Sequence, residues 1–107
     1  MYKLLLFLKK TNDENVLNHF KEFTIKYLTQ IAGEEIKIAD VESSLLLDQK
    51  YSQFCEVTVS SKDEWDEKMN SLSGRELNKD LVDFHQNITV IFVDYKNKRS
   101  LYISNRL

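Results

Sequence analysis

Proline is absent from this 107-residue chain, and glycine occurs only twice. Without proline the sequence lacks the commonest mark of a linker. No repeat or low-complexity tract takes its place, so we read residues 1–107 as a single domain. Gly33 and Gly74, far apart, cannot form a phosphate loop or a GxSxG elbow, which need glycines clustered around one turn. The single cysteine, Cys55, excludes an intramolecular disulfide and fits a reducing cytosol. With only two histidines, His19 and His85, and scattered acids, the dense spacing of a metal site is missing, and we expect no metal. A haem needs only one histidine, but no pattern favours one, so no cofactor is expected. The apolar run Leu4 to Leu8 stops at Lys9-Lys10, too short for a secretory segment or a membrane span. Nor is there charge of one sign: 17 acidic and 15 basic residues are interspersed to a net −2. No field steers the chain to nucleic acid or an anionic membrane. The one basic cluster, Lys96-Asn97-Lys98-Arg99, reads as a turn. We expect a cytoplasmic protein.

What is present is a pair of short strands that are apolar on both faces. A half-buried strand alternates, whereas Lys3 to Leu8 and Ile88 to Val93 do not, so each requires cover above and below. One layer of helices supplies one cover. A domain of this size buries roughly 65% of the surface of its unfolded chain and has little room for an enclosed cavity of its own. A second copy of the chain is the simplest other cover, which predicts a homodimer packed sheet against sheet.

Three capping boxes mark helix starts: Thr11 with Glu14, Ser61 with Glu64, and Ser73 with Glu76. After the first, Val16, Leu17, Phe20, Phe23, Tyr27, Leu28 and Ile31 form an apolar stripe that ends at Gly33, predicting a long amphipathic helix. The second leads to Trp65, Met69 and Leu72, and the third to Leu77, Leu81 and Phe84. These predict two short helices broken near Ser73-Gly74. Between the first helix and Ser61, Ile36, Ile38 and Val41 read as one strand and Tyr51 to Ser60 as its hairpin partner. The order β-α-β-β-α-β is the ferredoxin-like, split βαβ arrangement: an α+β fold with a four-stranded antiparallel sheet and the helices on one face. A further strand over residues 100–104 is possible from the alternation Leu101, Tyr102, Ile103.

From Tyr2 to Tyr95 the chain resembles the EthD-like branch of the dimeric α/β-barrel superfamily. The resemblance rests on Leu4 to Lys10 followed by the capped helix ending in Gly33, on Phe54-Cys55-Glu56-Val57-Thr58-Val59 running into Ser61, on Trp65, on Ser73-Gly74-Arg75-Glu76, and on Asp80 with Phe84. It implies a homodimer whose two sheets form a barrel, with a cleft between sheet and helices in each subunit. That superfamily holds cofactor-free monooxygenases, haem-degrading enzymes, lactone isomerases and members without known activity, so fold alone selects none of them. The chain departs from the pattern where EthD-like sequences carry a histidine in the first helix: Thr24 and Lys26 stand there.

Glu56 is the first candidate for chemistry. It interrupts an apolar strand and matches a glutamate of the family pattern, and a carboxylate with little access to water holds its proton in a range suited to proton transfer. The alternative is a wet barrel mouth or a pair with a lysine. His19, on the flank of the helical stripe, is a candidate base or hydrogen-bond donor, or else a boundary histidine with a satisfied ring. Cys55 reads as a small buried hydrophobe, and His85 as a cation at a helix end. Phe84 reads as an anchor and Asp80 as ordering the chain before the last strand. The expected function is binding of a small apolar or aromatic compound, with Phe20, Tyr27, Phe54 and Trp65 as walls and Glu56 as the polar contact. The alternatives are a non-catalytic dimerisation or accessory protein, and a cofactor-free monooxygenase or isomerase as the resemblance implies. Whether the chain is an enzyme is left open.

Overall fold

The computed structural model describes residues 2–42 and 50–95. Four strands, β1 (Tyr2–Lys9), β2 (Ala39–Asp40), β3 (Tyr51–Val59) and β4 (Ile88–Asp94), form one sheet in the order β2-β3-β1-β4, with every neighbouring pair antiparallel. Between β1 and β2 the chain runs through α1 (Glu14–His19), a π-helical segment (Phe20–Thr24) and α2 (Ile25–Ala32); between β3 and β4 it runs through α3 (Lys62–Met69) and α4 (Leu72–Asp83). This is the ferredoxin-like α+β topology expected from the element order. The proposed strand over residues 100–104 and the Lys96 to Arg99 turn lie outside the described residues.

Register sorts the strand residues by face. Leu4 pairs with Val57 and Phe92, Leu6 with Cys55 and Val90, and Leu8 with Ile88, so these point to the helices. There Leu4, Leu6, Leu8, Cys55, Val57, Val59 and Ile88 meet Phe20, Ile25, Leu28, Ile31, Trp65 and Leu77 in a single buried cluster. Lys3, Leu5 and Phe7 point the other way, beside Phe54, Glu56 and Thr58 of β3 and Thr89, Ile91 and Val93 of β4. That second face carries no layer among the described residues, and Ile91 is exposed there.

Two of the three expected caps are displaced. Ser61 caps α3 as expected, its hydroxyl accepting from the Glu64 N–H at 3.1 Å. The cap of α1 is Asp13, whose carboxylate accepts from the Asn15 N–H at 2.9 Å, while Thr11 accepts from the Asp13 N–H, ahead of the helix. The cap of α4 is Ser71, accepting from the Gly74 N–H at 3.1 Å, and Ser73 instead bonds Gln30. Serine at either position supplies the needed acceptor, and packing chooses between them. The break between α3 and α4 therefore falls at Asn70-Ser71. Gly74 lies inside the first turn of α4, where a Cβ would come within 2.4 Å of the Met69 Cα. The strand expected from Ile36, Ile38 and Val41 shrinks to the pair Ala39–Asp40, with Ile36 plugging the core instead.

The first helix departs from a plain 3.6-residue period. The Ile25 N–H bonds the Phe20 carbonyl, five residues back, and this slackens the winding so that the following residues lag. Phe23, expected on the stripe, is turned out to 43% exposure, while Thr24 is turned in to 0%. The helix still ends at Gly33, whose φ of 74° is the left-handed conformation that closes it.

Candidate functional site

The inward turn of Thr24 sets up a polar cluster between the first helix and α4. Its hydroxyl donates to Oδ2 of Asp80 at 2.6 Å, and Nε2 of His19, just over one turn earlier, bonds Oδ1 of the same carboxylate. Asp80 is only 7% exposed. A charge so buried needs partners, and here each carboxylate oxygen has its own donor. The His19 ring is stacked between Phe84, with centroids 4.0 Å apart and planes at 19°, and Phe23, at 5.0 Å and 27°. Phe84 thus anchors the end of α4, as expected, but through the imidazole as well as the core.

A carboxylate only accepts, so His19 presents Nε2–H to Asp80 and, when neutral, has its lone pair on Nδ1. Among the described residues Nδ1 has no partner, nor is it a buried orphan. His19 lines an open groove of about 190 Å³ together with Tyr27 on one side and Glu76, Lys79, Asp80 and Asp83 on the other. The four α4 residues follow the i, i+3, i+4, i+7 spacing of one helical face. That stripe is the sequence signal that marks this site, and it is missed when Asp80 is read as a residue ordering the chain before β4.

The sequence-derived candidates do not gather at one place. His19 and Tyr27 line the groove. Phe20 and Trp65 are 1% and 7% exposed and belong to the layer between sheet and helices. Glu56 and Phe54 stand on the opposite face of the sheet, because β3 alternates and Cys55 and Val57 take the core side. There Glu56 is accessible and bonds Lys3 Nζ at 3.0 Å, the lysine pairing weighed as its alternative. The hydrogen bond to Glu56 raises the Lys3 pKa above its ordinary value, against some desolvation, helped by the Glu56 charge and by Tyr95. Phe54 packs on Phe7, which also meets Tyr51. The Cys55 thiol, buried and unpaired, is pushed up to about 12 by burial and then by the nearby Glu56 charge, which makes it a poor nucleophile. His85 bonds locally, its Nδ1–H donating to the Val82 carbonyl at 2.9 Å at the end of α4. Among the described residues no group of three or more metal-ligating side chains converges, and no helix is long and apolar enough to cross a membrane.

This fold is shared with solved structures. An ethyl tert-butyl ether D (EthD) family protein from Bacillus halodurans C-125 aligns with a TM-score of 0.73 at 18% identity, over 90% of this chain and 99% of that one. A protein from Arabidopsis thaliana aligns at 0.56 and 20% identity over 89% and 92% of the two chains. HapK from Hahella chejuensis aligns at 0.56 and 9% identity over 91% and 94%. No protein-family model and no curated protein matches the sequence. At these identities the likeness is one of fold: the chain has the ferredoxin-like architecture of an EthD family protein.

Proposed function

We propose that the chain is an EthD-like, homodimeric, cytoplasmic protein that binds a small, largely apolar compound in the groove between the first helix and α4, with His19 Nδ1 accepting a proton or hydrogen bond from it. The observation that carries this reading is the buried Asp80 carboxylate behind the ring, which commits Nε2 as a donor and leaves the lone pair on Nδ1 of a histidine that lines the groove. A carboxylate behind an imidazole orients it and stabilises the imidazolium that forms on proton uptake. The groove is smaller than an ordinary ligand site, so it suits a small molecule or the polar end of a larger one. Its carboxylates, Glu76, Asp80 and Asp83 against Lys79, oppose anions, and a neutral compound with an O–H or N–H meets the accepting nitrogen without that repulsion. Tyr27 supplies an aromatic wall, consistent with an aromatic ligand.

Exposure of the purified protein to a metabolite extract, followed by mass spectrometry of what stays bound, tests the reading. His19→Gln keeps a side-chain N–H for Asp80 but loses the basic nitrogen. The expected result is a small neutral compound retained by the native protein and lost from a folded His19→Gln variant. Equal retention by both, or retention of nothing, overturns it. A second reading, a dimerisation or accessory protein without a ligand, is supported by the interlayer filled with Phe20, Leu28, Trp65 and Leu77.

A further inference from the structure

Threonine in the middle of a helix ordinarily returns its hydroxyl to the carbonyl four residues back or turns to solvent. Thr24 does neither: fully buried, it donates to Asp80 of another helix at 2.6 Å. Thr24 lies four residues after the buried Phe20, and the π segment between them leaves Phe23 turned out at 43% exposure and Thr24 facing the interior. Such segments give up regular hydrogen bonding and are frequent at functional sites.

We propose that Thr24 is a positioning residue: its hydroxyl, carried inward by the π segment, fixes the Asp80 carboxylate so that His19 keeps its proton on Nε2 and holds Nδ1 bare towards the groove. With Oδ2 tied to Thr24, the carboxylate cannot rotate freely about its last bond, and Oδ1 stays on the His19 side. Because the carboxylate is acceptor-only, the imidazole must meet it with N–H, which fixes the tautomer. Phe84 and Phe23 fix the remaining freedom, the plane of the ring. Carboxylate twist, tautomer and ring plane are thus each held by a different contact. A hydroxyl present only to satisfy itself does not need the charged partner that also serves the histidine.

The inference extends the reading of Nδ1 as the ligand-facing atom, and its test uses no ligand, so the two fail separately. The imidazole nitrogens and Nε2–H of His19 are followed by NMR at about pH 9, where an ordinary histidine is neutral. Thr24→Ser keeps the donor, and Thr24→Val keeps the shape without it. The native protein and Thr24→Ser are expected to show a proton on Nε2 protected from solvent exchange, and Thr24→Val an exchange faster by about tenfold or more, the effect of losing one buried hydrogen bond. Thr24→Ala gives the same comparison should valine crowd the site. Unchanged protection in folded Thr24→Val or Thr24→Ala overturns the proposal. So does loss of protection in Thr24→Ser, or a proton found on Nδ1 of the native protein, and the last needs no variant to fold.

Discussion

Nε2 of His19 and Oδ1 of Asp80 join the first helix to α4 across 61 positions of sequence, and the carboxylate that joins them is almost wholly withdrawn from water. Its replacement therefore separates charge from shape. Asp80→Asn keeps an acceptor for His19 and offers an N–H to the Thr24 hydroxyl, which can turn to accept. We expect a loss of about 1–2 kcal/mol, the difference between charge-assisted and neutral hydrogen bonds. Asp80→Ala leaves the Thr24 hydroxyl buried and unpaired and opens a void, so its loss should be larger, about 2–4 kcal/mol. Urea melts of the two variants decide it: equal losses contradict a charge held by two donors.

The two glycines make a second, internal comparison. Gly33 has φ 74° with nothing within 4 Å of where a Cβ would stand, so Gly33→Ala carries only left-handed strain, about 1–2 kcal/mol. Gly74 has ordinary φ, but its Cβ would meet the Met69 backbone at 2.4 Å, which forces α3 and α4 apart. Overpacking against backbone should place Gly74→Ala at about 3 kcal/mol or more. Thermal melts in which Gly33→Ala is the more damaging contradict this ranking.

Much of the fold is legible in the sequence because its cues are local. The doubly apolar β1 and β4, the Ser61 cap and Gly33 at the helix end each depend on a few neighbouring residues. The displaced caps at Asp13 and Ser71 show the limit of that logic: nearby side chains supply the same acceptor, and packing of the following turn decides which is used. The site is less legible. A period of 3.6 residues cannot reveal a π segment, so Thr24 reads as a departure from a family pattern rather than as a partner of Asp80. His19 stands out as a candidate, but the stripe Glu76, Lys79, Asp80, Asp83 acquires meaning only once the first helix lies across it. For Glu56 the strand alternation alone implies a side opposite to that of Cys55, and only the register with β1 identifies that side as the one facing away from the helices.

That outward face carries the third prediction. Leu5 pairs with Ile91 and Phe7 with Phe54, which gives a contiguous apolar centre beside the Lys3–Glu56 pair. If a second copy covers this centre, light scattering of the native protein at micromolar concentration gives twice the mass of the chain. Ile91→Lys puts a charge without a partner into each half of such an apolar interface, so the variant should be a folded monomer. Because Ile91 is exposed in the single chain, its own fold should change by less than about 1 kcal/mol. A native monomer, or an Ile91→Lys variant still paired, contradicts the sheet-to-sheet arrangement.

Alkaline pH should expose the burial of Cys55. In the unfolded chain a thiol ionises near its ordinary value of about 8.5, whereas in the fold burial, with the Glu56 charge behind it, holds the proton until about 12. Between these values the unfolded state binds fewer protons than the folded one, so stability is intact below the lower value and falls as pH rises towards the upper, by up to about 1.4 kcal/mol per pH unit. Lys3 acts in the same direction, its hydrogen bond to Glu56 keeping the ammonium protonated above the ordinary lysine value. Cys55→Ala should cost about 1 kcal/mol at neutral pH yet flatten the alkaline decline. Glu56→Gln removes the leading cause of the Lys3 shift and the lesser cause of the Cys55 shift, so it should reduce the decline without abolishing it. Denaturation midpoints of the three proteins from about pH 8 to about pH 11 test the order native, Glu56→Gln, Cys55→Ala, from steepest to flattest. Identical slopes, or rapid labelling of the native thiol at about pH 8, contradict a buried, proton-retaining Cys55.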